Sequence, residues 1–210
     1  CSSDLVFVHI PKTGGISLQQ AVFGVSGRNW HYSAAQYRAS NPDRFDRLTS
    51  FAVMREPVDR LISAFHFYRD RAEGTEPLNP ALRRWRERHI LPHGDVESFA
   101  AALGRSRLLR ARVLASPHFR PQAEFVADPR GRVMVDALFR FDRLDAAADW
   151  LSARLGREIA LPRRNASGRA RAGADWLSEG ACATIRAMYA EDAALWEALV
   201  AGRPLPRSGG

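Results

Sequence analysis

The segment Val8-His9-Ile10-Pro11-Lys12-Thr13-Gly14-Gly15-Ile16-Ser17 concentrates a lysine, two hydroxyls and a glycine pair directly after an apolar run. Backbone N–H groups around Lys12, Thr13, Gly14 and Gly15 can form a concave nest for an anion, and a helix starting there adds the positive end of its dipole. Glycines let the backbone approach a phosphate closely and adopt positive φ. Thr13 and Ser17 offer hydroxyl donors, and Lys12 a mobile charge. The lysine precedes the glycines, so the segment departs from the G-x-x-x-x-G-K-[ST] loop of ATP- and GTP-hydrolysing proteins, and no acidic motif for magnesium accompanies it. Lys12 is also the only lysine among 31 Lys and Arg residues. Arginine substitutes poorly where a compact ammonium must fit among phosphate oxygens, because the guanidinium is larger and directs its donors as a planar fork.

These residues need a rigid edge to stand on. Leu5–Ile10 is a nearly continuous apolar run closed by Pro11, as in a buried parallel strand, and a helix is expected over Ile16–Phe23. The pattern repeats at Ser50–Met54, which ends in Arg55-Glu56-Pro57. Pro57 suits a first helical turn, and Val58, Leu61, Ile62 and Phe65 recur at helical spacing through about Arg69. Residues 73–80 read as a loop. Helices follow from Pro80 to Ala115, with breaks near Pro92-His93-Gly94 and around Gly104. A third strand is expected over Arg132–Phe141, a helix over Arg143–Leu155, a basic surface loop over Leu161–Gly173, and two closing helices over Ser178–Tyr189 and Ala190–Val200.

Strands alternating with helices imply an α/β fold: a P-loop-like, mainly parallel sheet flanked by helices, with additional C-terminal helices. Residues 1–202 read as a single domain and 203–210 as a polar tail. Ligands in such folds sit beyond the carboxyl ends of the strands, where both Lys12 and Arg55 fall. Two cations at one sheet edge can act on one ligand.

Composition is that of a globular chain, with 46% hydrophobic and 26% charged residues. The net charge of +8 suits an anionic partner, whether nucleic acid, a membrane surface or a phosphorylated or polyanionic ligand. The basic residues are spread along the chain, which favours a field around a site over a nucleic-acid-binding tail. No run is long enough to span a bilayer and no signal-peptide pattern opens the chain, so the expected location is cytoplasmic. The chain begins with Cys1 rather than Met, which leaves room for a removed anchor. Cys1 and Cys182 are too few for a disulfide framework or a metal cluster, and Cys182 reads as a core residue. No metal is expected.

The string His9 to Leu18 resembles the 5′-phosphosulfate loop of sulfotransferases that use 3′-phosphoadenosine 5′-phosphosulfate, particularly the carbohydrate 2-O-sulfotransferase-like branch. Arg55-Glu56-Pro57-Val58-Asp59-Arg60-Leu61-Ile62-Ser63-Ala64-Phe65 resembles that family's 3′-phosphate motif. Weaker likenesses run through Arg120-Pro121-Gln122, Phe139–Leu144 and Asn165–Arg169. The resemblance implies that Thr13, Gly14, Gly15, Ile16 and Ser17 bind the 5′-phosphate, with Lys12 neutralising the leaving oxygen. Arg55 and Ser63 would take the 3′-phosphate, and Asn165, Ser167 and Arg169 a late nucleotide contact. Ile16 stands where many relatives have Thr, and Glu56 where Asp is more usual.

A hydroxyl acceptor needs a base, and histidine suits that task near neutral pH. The resemblance points to His31, just after the first helix. His118 is the second choice and, with Arg120 and Gln122, is expected on the acceptor. The product would be 3′,5′-bisphosphoadenosine. The expected reaction is in-line sulfuryl transfer to a hydroxyl, on a glycan by the resemblance. Two other readings stand beside it: a kinase-like nucleotide enzyme, and a non-catalytic basic module for polyanionic glycan or nucleic acid. The acceptor pocket, expected among residues 70–130, and the oligomeric state are not written in the sequence.

Overall fold

A computed structural model describes residues 4–25, 31–70, 80–161 and 176–207. In chain order the elements begin with β1 (Leu5–Val8), α1 (Gly15–Phe23), α2 (Ala34–Ser40), α3 (Pro42–Arg47), β2 (Thr49–Met54), α4 (Pro57–Arg69) and α5 (Pro80–His89). There follow α6 (Val96–Arg105), α7 (Arg107–Leu114), α8 (Ala123–Val126), β3 (Ala137–Arg140), α9 (Leu144–Leu155), α10 (Glu179–Met188) and α11 (Ala190–Val200). The chain forms two compact units. One comprises Cys1–Glu56, Pro121–Arg164 and Glu191–Gly210, the other Pro57–Arg120 and Asn165–Ala190.

The first unit is built on a parallel sheet of order β1-β2-β3, with Val8 opposite Ala52 and Met54 opposite Arg140. Alternation along β1 and β2 sends successive side chains to opposite faces. Leu5, Phe7, Phe51 and Val53 pack with Leu18 and Val22 of α1 and Leu151 of α9. On the other face Val8, Ala52 and Met54 meet Ala34, Phe45, Phe125 and Leu195. Burial on both faces explains why β2 is apolar along nearly its whole length. The α/β architecture with a parallel sheet flanked by helices is therefore as the sequence pattern requires.

Several boundaries differ from the sequence expectation. β3 is shorter than Arg132–Phe141, because Val133 pairs instead with Ala127 and Arg207. The stretch read as a polar tail is tied into this unit: Val133 N–H donates to the Pro206 carbonyl, and the Arg207 guanidinium to the carbonyls of Val135 and Asp136. α2 and α3 are short and polar and were not foreseen. Ser33 and Gln36 form a reciprocal capping box at α2, and the Asn41 side chain caps α3 with Pro42 at its first position.

The second unit is helical. Val58, Leu61 and Phe65 of α4 share a core with Phe99 and Leu103 of α6, Val113 of α7 and Ile185 of α10. Cys182 is buried there, in keeping with its reading as a core residue. The break expected around Gly104 falls at Ser106, which ends α6 and caps α7. Gly104 has another role: a Cβ there would come within 3.2 Å of Thr184 on α10, so the two helices approach closely.

Candidate active site

Because the strands are parallel, the segments following β1, β2 and β3 all emerge at one edge of the sheet. Lys12 follows β1, Arg55 follows β2 and Phe141 follows β3. The turn after β1 is sharply bent. Lys12 has φ of 72° and Gly14 φ of 78°, both left-handed, and for lysine this is a strained backbone. Thr13 is fully buried, and its hydroxyl donates to the Ile10 carbonyl at 2.8 Å. Its side chain thus holds the turn rather than serving as a donor to a ligand.

Gly14 sits at the N-cap of α1 and brings no capping side chain, while Ser17 and Leu18 N–H groups return to its carbonyl. The N–H groups of Gly15 and Ile16 precede the first intrahelical donor, Ser17 N–H, so the positive end of α1 opens at this turn. Gly15 is required for a different reason. A Cβ there would lie 1.9 Å from Nε2 of His9, whose imidazole is packed against the glycine. A Cβ at Gly14 would approach the Phe141 ring to 3.0 Å.

Arg55 joins this turn. Its guanidinium donates to the Lys12 carbonyl at 3.5 Å and lies over the Phe141 ring, 4.7 Å from the centroid. Burial, and then the positive charge of Arg55, lower the Lys12 ammonium from its ordinary range to about 8. Two cations held this close at an open helix N-terminus form an electrostatic setting for a dianion such as phosphate. The residues therefore fit a phosphorylated ligand.

Gln122, expected on an acceptor, has no exposed surface. Its carboxamide oxygen accepts from Arg55 N–H at 3.0 Å, and its Nε2 donates to the Arg55 carbonyl at 2.8 Å. A fully buried side chain with both functional atoms engaged does not reach an acceptor. It acts on the backbone of Arg55.

Two histidines stand beside the turn. Nδ1 of His31 lies 3.2 Å from the His9 carbonyl oxygen, and the two rings are 4.8 Å apart. A carbonyl only accepts, so the His31 Nδ1 carries the proton in this bond and, in the neutral ring, Nε2 holds the lone pair. His9 is buried, stacks on Phe7 at 5.3 Å, and its Nδ1 has no hydrogen-bond partner among the described residues. Burial, with His31 nearby, lowers its pKa to about 3, so His9 stays neutral.

Residues 2–196 match the Sulfotransferase family. The chain belongs to the sulfotransferase family. That assignment makes it an enzyme of sulfuryl transfer, a reaction for which 3′-phosphoadenosine 5′-phosphosulfate is the general donor. No curated protein and no solved structure matches the chain.

The remaining expected site residues of this sulfotransferase belong to the second unit or fall outside the described residues. Ser63 is half-buried in the second turn of α4. His118 and Arg120 belong to the second unit, both half-buried. There His118 stacks on Phe67 with centroids 4.7 Å apart and is 2.9 Å from the Tyr68 hydroxyl through Nδ1. Asn165, Ser167 and Arg169 lie outside the described residues.

Sequence reasoning missed a cavity of about 420 Å³ in the first unit, at the outer edge of β1. His9, Gln19, Phe23, Tyr37 and Arg44 are among the residues lining it. Among the described residues no helix is long and apolar enough to cross a membrane.

Proposed function

We propose that this sulfotransferase binds 3′-phosphoadenosine 5′-phosphosulfate on the Lys12–Ser17 turn and Arg55, and transfers its sulfuryl group to a carbohydrate hydroxyl with His31 as base. The observation that carries this reading is the convergence of Lys12 and Arg55 at the uncapped start of α1, at one edge of the parallel sheet.

The N–H groups of Gly15 and Ile16, with the Ser17 hydroxyl, bind the 5′-phosphate. Arg55 makes a charge-assisted pair with the 3′-phosphate. The acceptor oxygen attacks sulfur while its proton passes to Nε2 of His31. The bond from sulfur to the bridging phosphate oxygen breaks, and the Lys12 ammonium stabilises the charge left on that oxygen. The carbonyl of His9 holds the imidazole in the tautomer this step needs. Support for a glycan acceptor comes from the resemblance of both motifs to the 2-O-sulfotransferase-like branch. The cavity beside β1 shares His9 with this apparatus and offers space for an acceptor on the His31 side.

The test is a paired titration with 3′,5′-bisphosphoadenosine and adenosine 5′-phosphate. Arg55→Ala is expected to weaken only the bisphosphate, and His31→Ala to spare binding while abolishing turnover. Equal affinity of the wild type for both nucleotides would remove the 3′-phosphate assignment.

A further inference from the structure

The segment that carries Arg55 is anchored by a device that reaches from the far end of the chain. Asp192, in the first turn of α11, has no exposed surface. Its two carboxylate oxygens accept from Gln122 N–H and Ala123 N–H, both at 2.8 Å. Those N–H groups open α8, whose N-cap residue Gln122 makes no capping bond with its own side chain. The cap comes from Asp192 instead, and this leaves the Gln122 carboxamide to close on the backbone of Arg55. The pairing resembles one more rung added to the end of β2. It satisfies the Arg55 N–H and carbonyl just where the ladder with β3 ends at Met54 and Arg140.

We infer that Asp192 and Gln122 are positioning residues for Arg55, fixing the backbone from which its guanidinium reaches over Phe141 toward Lys12. The inference rests on the reading of Arg55 as the 3′-phosphate ligand. Geometry supports it at each link. Every bond in the relay lies between 2.8 and 3.0 Å, and the two side chains that form it have no exposed surface. A carboxamide both accepts from an N–H and donates to a carbonyl through a planar pair of atoms, with no change of protonation state. Glutamate in its place accepts but presents a second oxygen to the Arg55 carbonyl. Alanine removes the side chain that pairs with both backbone groups in a part-buried place.

The experiment compares wild type, Arg55→Ala, Gln122→Ala and the double variant by calorimetric titration, with thermal melts as the folding control. The probes are 3′,5′-bisphosphoadenosine and adenosine 5′-phosphate. Gln122→Ala is expected to weaken the bisphosphate about tenfold, the scale of one impaired bond to a charged group, while the monophosphate stays within about twofold. In the Arg55→Ala background the same change should have no further effect on the bisphosphate. If Gln122→Ala does not fold, Gln122→Glu, which keeps the volume and one acceptor, and Asp192→Asn carry the same comparison. Selective loss with Arg55→Ala, but equal loss of both nucleotides or full additivity with the Gln122 variant, overturns the relay alone. If Arg55→Ala itself is unselective, the 3′-phosphate reading fails and the relay falls with it.

Discussion

The guanidinium of Arg55 lies over the ring of Phe141 at 4.7 Å, and the same ring edges the space left free by the missing side chain of Gly14. Phe141 thereby links the strand-end cation to the turn that follows β1. The cation–π contact and the backbone clamp from Gln122 act on Arg55 from different sides of the residue, one on its charge and one on its main chain.

Replacing Phe141 with leucine keeps apolar volume and removes the ring quadrupole. A contact of this kind is worth about 1 kcal/mol. Phe141→Leu is expected to weaken 3′,5′-bisphosphoadenosine about fivefold in a titration, with a melting temperature close to wild type. An unchanged affinity would show that the ring does not hold the guanidinium in its binding position.

Gly15 tests the packing behind the turn. With a Cβ only 1.9 Å from the His9 imidazole, Gly15→Ala is expected to destabilise the protein by about 1–3 kcal/mol in a urea melt. His9→Ala introduced alongside removes the colliding ring. The double variant should therefore melt higher than the sum of the two single losses requires.

Lys12 gives donor binding a pH dependence. Its pKa is about 8 in the free protein, and a bound phosphate raises it, so the protonated form is the one that binds. Bisphosphate affinity should be highest near pH 7 and fall as pH rises through 8 toward the pKa of the complex. The slope should approach about tenfold per pH unit, one proton taken up on binding. Lys12→Ala should flatten that limb while lowering affinity throughout.

His9 gives folding stability an acid limb. Its folded pKa of about 3 lies below the unfolded value of 6.5, so the unfolded chain binds the extra proton between those values. This stability is intact above about pH 6.5 and is lost progressively as pH falls toward 3. The slope is at most about 1.4 kcal/mol per pH unit. His9→Phe should have a flatter profile over that range in urea melts.

The sheet and the phosphate turn were legible because their signals are local. An apolar run before Pro11 and a glycine pair after Lys12 define β1 and the start of α1 without tertiary information. Ser50–Met54 followed by Pro57 does the same for β2 and α4. α2 and α3 escaped because they are short and lack an apolar stripe, although Ser33 with Gln36 and Asn41 with Pro42 carry readable capping signals. Val133 and Val135 suggest strand by composition, but both are buried against Phe125 and Val126 outside the parallel ladder. The clamp formed by Gln122 is not legible in the sequence, which suggests an acceptor contact instead. Its partners lie 67 and 70 positions away, and nothing in Pro121-Gln122-Ala123 announces a clamp on Arg55. The Thr13 hydroxyl has a local partner by contrast, the Ile10 carbonyl only three residues back.

The most direct measurement is a crystal structure of the protein with 3′,5′-bisphosphoadenosine. The 5′-phosphate is expected against the N–H groups of Gly15 and Ile16 with Lys12 beside it, and the 3′-phosphate paired with Arg55. A nucleotide whose phosphates occupy any other place, leaving the Lys12 turn and Arg55 without phosphate contact, would contradict the account.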